Sequence, residues 1–131
     1  MGVRLCLDPR HINKYLPDDR HPLPLIRSIF DKLAGSSVFS TLDLKSAFHR
    51  FKIHEKDQHK TTFTSASGNQ YMFVGCPFGL KPISAKFQRV MQILFEGLPF
   101  VTTFVDDIVV YSKNMEEHCA HIRIVLQKLT K

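Results

Sequence analysis

Apolar positions along the 131-residue chain change period from segment to segment, and these changes set out its elements. Val3-Arg4-Leu5-Cys6-Leu7 reads as a short strand. Asp8 to Lys14 reads as a short helix, with Asp8 as its cap and Pro9 in its first turn. Pro17 to Pro24 is a loop. Leu25, Ile26, Ile29, Phe30 and Leu33 recur at helical spacing, and Gly35 closes that helix. Residues 38–43 form a β-rich strand ending at Asp43, and the polar run 44–50 turns the chain back. Alternation in Phe51-Lys52-Ile53-His54 predicts a strand with one buried face, and 55–58 a helical turn. Thr61 to Thr64 and Gln70 to Val74 pair as a hairpin around Gly68.

A glycine- and proline-punctuated loop over 75–82 leads into the clearest helix. Ile83, Phe87, Val90, Met91, Leu94 and Phe95 form its stripe, and Gly97 with Pro99 stops it. Two apolar β-rich runs then flank Asp106-Asp107, which predicts a hairpin with both aspartates at its tip. Asn114 caps a last helix with Ile122, Val125, Leu126 and Leu129 on one face. Helices mixed with mostly antiparallel strands define an α+β fold. Asp43 and the Asp106-Asp107 hairpin are expected at one end of a single antiparallel sheet, and helices over 25–34, 83–96 and 115–129 are expected to give their apolar faces to the core, packing on one face of that sheet.

Length allows one domain with a modest core. The 18 Lys+Arg outnumber the 12 Asp+Glu by six, a balance compatible with a polyanionic partner. Cys6, Cys76 and Cys119 give neither a CxxC pair nor an even disulfide framework, so a reduced, intracellular setting is expected. No run of 18 apolar residues and no signal-peptide pattern occurs, so no membrane partner is expected.

Aspartates are ordinary turn residues, and Asp106-Asp107 alone defines no more than a turn. Asp43, at the end of another β-rich run, changes the picture. If the strands lie side by side, three carboxylates converge, repel one another and call for cations. Magnesium suits them, because it takes oxygen ligands and keeps positions for phosphate oxygens. Glu117, His118 and His121 also fall at metal-like spacing, with zinc as the candidate and no fourth ligand in view.

Four blocks in order resemble the reverse transcriptases of gypsy-type long-terminal-repeat retrotransposons and, more distantly, of retroviruses. Residues 3–14 resemble the fingers strand and its helix. Phe39-Ser40-Thr41-Leu42-Asp43-Leu44-Lys45-Ser46-Ala47-Phe48-His49 resembles the first catalytic motif. Pro77-Phe78-Gly79-Leu80-Lys81-Pro82-Ile83-Ser84-Ala85-Lys86-Phe87-Gln88 resembles the template- and nucleotide-contacting motif. Phe104-Val105-Asp106-Asp107 resembles the aromatic-x-Asp-Asp signature, with phenylalanine where the family usually has tyrosine.

The resemblance covers residues 1–131 and implies a palm-like antiparallel sheet with packed helices and partial fingers. It implies an RNA-directed DNA polymerase that joins deoxynucleoside triphosphates to a DNA primer on an RNA or DNA template. Asp43 and Asp106 would hold two magnesium ions, or manganese, with Asp107 as a weaker ligand. Arg4, the backbone after Asp43 at Leu44, Phe78 and Gly79 would meet the nucleotide. Phe48 would be the aromatic gate against a 2′-hydroxyl. Lys81, Gln88, Phe104 and Val105 would meet template or primer. The family's thumb, connection and ribonuclease H regions lie beyond Lys131, and a longer polyprotein is expected to supply them. The expected setting is the cytoplasm, virus-like particles or the nucleus. The alternative is a non-catalytic relic or nucleic-acid-binding module of the same fold.

Overall fold

The computed structural model describes residues 6–130. Its elements are α1 (Arg10–Asn13), α2 (Ile26–Leu33), β1 (Val38–Asp43), α3 (Glu55–Gln58), β2 (Phe63–Thr64), β3 (Gln70–Tyr71), α4 (Ile83–Leu94), β4 (Val101–Phe104), β5 (Asp107–Ser112) and α5 (Met115–Leu129). Short 3-10 turns lie at Phe48–Arg50 and His59–Thr61. The α+β reading holds. The chain divides into two compact units, one drawn from Met1–Asp19 and Lys45–Ser84, the other from Arg20–Leu44 and Ala85–Lys131.

The second unit is built on a three-stranded antiparallel sheet in the order β1-β5-β4. Strand alternation separates its two faces. Val38, Ser40 and Leu42 share one face with their neighbours Ser112, Val110 and Ile108, and α5 packs there. Ile108, Val110 and Val125 are fully buried and form the centre of this layer. From α4, the buried Phe87, Gln88 and Met91 add to the core. Asn114 caps α5 by accepting from the Glu117 amide at 2.9 Å, and Glu116 and Glu117 sit in the first turn, where the helix dipole favours them. The other face carries Phe39, Thr41 and Asp43 beside Tyr111, Val109 and Asp107, and at the aspartate end it is open to solvent.

The first unit has little regular structure and is held by rings and polar clamps. Phe48 meets Phe78 edge-to-face, His49 stacks on Phe73, and Phe73 and Tyr71 both lie against Phe63. The buried Thr61 hydroxyl donates to Gln58 O at 2.7 Å and accepts from the Phe73 amide at 2.9 Å. Gly75 lies where a Cβ would collide with the His49 carbonyl, so a side chain cannot be accommodated there. Asn13 donates to Gly79 O and accepts from the Lys81 amide, both at 2.8 Å, which pins the 79–81 loop to α1.

Several expectations need correction. Most of the first predicted strand, Val3 to Leu5 with Arg4, lies outside the described residues, and Cys6 and Leu7 are not in a strand. Pro9, not Asp8, is the N-cap of α1, although the Asp8 carboxylate accepts from the Arg10 amide at 3.2 Å as well as from its guanidinium at 2.6–2.9 Å. That pairing lowers the Asp8 carboxyl below its ordinary range and raises Arg10. The alternating run 51–54 does not become a strand. It finds a single bridge, Lys52 to Gly75, and lacks a ladder to extend. No residue of the α2 apolar stripe is fully buried: Ile29 and Leu33 are half-buried, while Ile26 is 63% and Phe30 66% exposed. On α5 the inward line runs through His118 and Val125, and Leu126 faces outward. The sheet is not single, since β2-β3 forms a separate two-stranded hairpin.

Candidate active site

Register fixes the carboxylates. Asp43 is the last residue of β1 and pairs directly with Asp107, the first of β5. Phe104 pairs with Asp107 from the other side. The turn between β4 and β5 is therefore Val105-Asp106, one residue earlier than the expected Asp106-Asp107 tip. Directly opposed residues in an antiparallel pair have Cα atoms about 4.5–5.5 Å apart, and consecutive Cα atoms lie about 3.8 Å apart. The Cα atoms of Asp43 and Asp106 are thus within about 10 Å. Asp43 and Asp107 are exposed and Asp106 is half-buried. Among the described residues none of the three is in an ion pair with a basic side chain.

These side chains do not close into a ready-made cage. Among the described residues no group of three or more His, Cys, Asp or Glu side chains is gathered to hold a metal ion. Like charges at one sheet end favour separation in the absence of a cation. The donor set itself, carboxylate oxygens alone, suits magnesium or manganese and not a soft metal.

The hairpin is held from α4. Gln88 is 1% exposed, its Oε1 accepts from the Val105 amide at 2.7 Å, and its Nε2 lies 3.3 Å from both Thr103 O and Thr103 Oγ1. The expectation that Gln88 meets template or nucleotide is corrected on this geometry: both ends of its amide are spent inside the protein. Val105 has φ +55°, the left-handed region that a β-branched residue rarely occupies.

In the first unit, Lys45, Ser46, His49 and Arg50 line an open hollow of about 420 Å³. Ser46 also has φ +55°. Among the described residues neither Lys45 nor Arg50 is in an ion pair, so the hollow offers two uncompensated cations. Positions 45, 46 and 50 carry no sequence pattern that points to this hollow. Of its other candidates, Phe48 is 6% exposed with its ring 4.9 Å from that of Phe78, while Phe78 and Gly79 are exposed. Lys81 is engaged by Asp18 at 2.7 Å. Leu44 and Val105 are half-buried and Phe104 is exposed. Arg4 lies outside the described residues.

The zinc candidate dissolves. His118 is 5% exposed, and its Nε2 and Nδ1 are each 2.8 Å from a serine hydroxyl, Ser40 and Ser112 respectively. Ser112 Oγ also meets His121 Nδ1 at 2.7 Å, and the His121 ring stacks on Phe100. This serine-histidine chain ties β1, β5 and α5 together and leaves no ring nitrogen of His118 for a metal.

A mixed sheet-and-helix unit with aspartates at the open end of paired strands is the arrangement of a nucleic-acid polymerase palm. The chain belongs to the reverse transcriptase (RNA-dependent DNA polymerase) family, whose pattern it matches over residues 2–131. It is 39% identical over 128 residues to the retrovirus-related Pol polyprotein from transposon gypsy of Drosophila melanogaster. It is 37% identical over 129 residues to the transposon Tf2-3 polyprotein of Schizosaccharomyces pombe. These alignments take in 96% and 97% of the chain but 12% and 10% of the relatives, so the chain spans about a tenth of their length. The gypsy-type resemblance holds in these relatives. Among solved structures, it is similar to the foamy viral protease-reverse transcriptase in complex with double-stranded DNA. That likeness has a TM-score of 0.87 and 28% identity, covering 97% of this chain and 22% of the other. The same viral protein in complex with an RNA/DNA hybrid gives a TM-score of 0.86 at 28% identity, over 97% and 17%. No described helix is long and apolar enough to cross a membrane.

Proposed function

We propose that this chain is the catalytic portion of an RNA-directed DNA polymerase, acting within a longer polyprotein of the kind its relatives are. The observation that carries the proposal is the register of the second unit, with Asp43 opposite Asp107 and Asp106 in the adjoining turn. The reaction joins a primer 3′-oxygen to the α-phosphorus of a deoxynucleoside triphosphate and releases pyrophosphate. Asp43 and Asp106 would hold two magnesium or manganese ions, with Asp107 as a weaker ligand. Bound there, the metals supply charge stabilisation for the attacking and leaving oxygens.

The chain's own residues do the rest. The open sheet face gives the primer end access to the carboxylates. The hollow of Lys45, Ser46, His49 and Arg50, which begins two residues after Asp43, offers cationic and hydroxyl partners to the triphosphate, with the Leu44 backbone beside it in sequence. Phe78, Gly79 and Arg4 serve the nucleotide and Phe48 excludes a 2′-hydroxyl. Lys81, Phe104 and Val105 serve template and primer, and the partners are an RNA or DNA template with its DNA primer.

Primer extension by the polyprotein containing this chain tests the reading. Asp43→Asn and Asp106→Asn should each lower extension by more than about a hundredfold, beyond the usual loss when a metal's outer shell alone is disturbed. Template-primer binding should persist in both. Extension at the parental rate in either variant overturns the assignment. Binding without extension in the parent itself would favour the non-catalytic module.

A further inference from the structure

A two-residue hairpin turn with positive φ at its first central position alone is the geometry that normally requires glycine there. This turn has Val105 in that position, at φ +55°. Strain of this kind persists only where the surroundings over-determine it. Here the surroundings are the Phe104–Asp107 pair that closes the hairpin and, on the side of α4, one side chain. Gln88 projects from α4, accepts the Val105 amide hydrogen at 2.7 Å and reaches Thr103 O and Oγ1 at 3.3 Å. Thr103 and Val105 flank Phe104, so the planar amide grips the incoming arm of the turn at two points. Burial locks the grip, because rotating the amide would leave buried donors and acceptors unpaired. A buried amide is also a costly way to fill a core if filling is all that is needed.

From this geometry we infer that Gln88 is a positioning residue: it holds Val105 in the left-handed conformation and so fixes where Asp106, the next residue, stands at the sheet end. The consequence for metal binding rests on the reading of Asp106 as a ligand. The conformational part does not. Relaxation of Val105 to an ordinary strand or helical conformation would redirect the backbone entering Asp106 and move its carboxylate away from the Asp43-Asp107 pair.

The test uses the whole chain and four proteins: the parent, Gln88→Met, Val105→Gly and the double variant. Methionine keeps the length and bulk of glutamine without its amide. The readouts are hydrogen exchange at the residue 105 amide, manganese affinity from paramagnetic broadening around Asp43 and Asp106, and thermal melts. In Gln88→Met the Val105 amide should exchange about tenfold faster or more, relative to amides of β5, as expected for one lost hydrogen bond. Manganese affinity should fall by about tenfold, within the 10–100-fold range for a lost supporting contact. With glycine at 105, which adopts positive φ without steric cost, the same Gln88→Met change should cost less than about twofold in manganese affinity.

A core-filling role predicts equal losses in both backgrounds, and that result overturns the inference. So does unchanged exchange at Val105. If the parent binds no manganese near these aspartates, the metal reading fails, and the exchange result with the coupling between the two substitutions in the melts decides the clamp alone. Should Gln88→Met not fold, Gln88→Glu keeps the acceptor for Val105, and its Val105 amide should stay within about threefold of the parent's protection because that bond survives. Full loss of protection in Gln88→Glu overturns the inference as well.

Discussion

Phe48 answers to two demands. It is packed edge-to-face on Phe78 and almost wholly buried, and it stands five residues after Asp43, where we propose that it excludes a 2′-hydroxyl. Truncation to alanine removes both functions, at about 3–5 kcal/mol of stability for a buried phenylalanine. Phe48→Val leaves a branched apolar residue in place and is the better probe of the gate. In the polyprotein, its ratio of kcat/KM for deoxy- over ribonucleotides should fall by roughly 10–200-fold, the range open to selection by excluded volume. A lower melting temperature with an unchanged ratio would leave Phe48 a packing residue only. At this scale Asp43 was legible, because strand composition places it at a strand end without further information, whereas Asp107 was expected in the turn and is the first residue of β5. Gln88 was not legible. A glutamine at a helical position reads as exposed, and its burial depends on a hairpin that docks from 15 residues away. Lys45 and Arg50 escaped for a different reason: two cations either side of a turn carry no periodicity.

Elements followed the sequence where period and punctuation agreed. β1 occupies residues 38–43 as the β-rich run predicts, and α4 and α5 start and stop within a residue or two of their signals. The run 51–54 failed because alternation alone does not supply a partner strand. The aspartate tip slipped by one because Asp107 gains two neighbours, Asp43 and Phe104, by entering β5. The base of that hairpin is tied by Tyr111, whose hydroxyl donates to Pro99 O at 2.6 Å just before β4. Burial raises the Tyr111 phenol above its ordinary value. Below the unfolded chain's value near 10, both states hold the proton and the contribution is complete. As pH climbs past about 10, the unfolded chain gives up the proton first and stability drains away until the folded phenol also ionises. Tyr111→Phe should therefore cost about 1 kcal/mol at neutral pH, the net worth of one hydrogen bond, and lose less on moving to alkaline pH than the parent. Denaturant melts at pH 7 and pH 10.5 check both, and parallel alkaline losses in the two proteins would reject the account.

On the scale of the whole molecule, charge and aspartates pull in opposite directions. The chain carries an excess of six positive charges, yet the open end of its sheet is acidic. Under the proposed function, polyanion contacts would then come from basic groups elsewhere, and the Lys45-Arg50 hollow supplies two cations without an ion pair among the described residues. Phosphate contacts dominate nucleic-acid affinity and release counterions, so log affinity falls with log salt by about 0.9 per duplex phosphate neutralised. A segment spanning about a tenth of its relatives' length has few such contacts to offer. Binding of an RNA–DNA hybrid by the 131-residue chain should accordingly be weak, with a shallow salt dependence set by those few contacts. Lys45→Gln and Arg50→Gln should each flatten the salt slope by about one if the side chain meets a phosphate, without changing preference among sequences. Anisotropy titrations between about 50 and 200 mM salt give the slopes directly. Unchanged slopes in both variants would remove the hollow from the phosphate path and return the search for that path to the other basic surface of the chain.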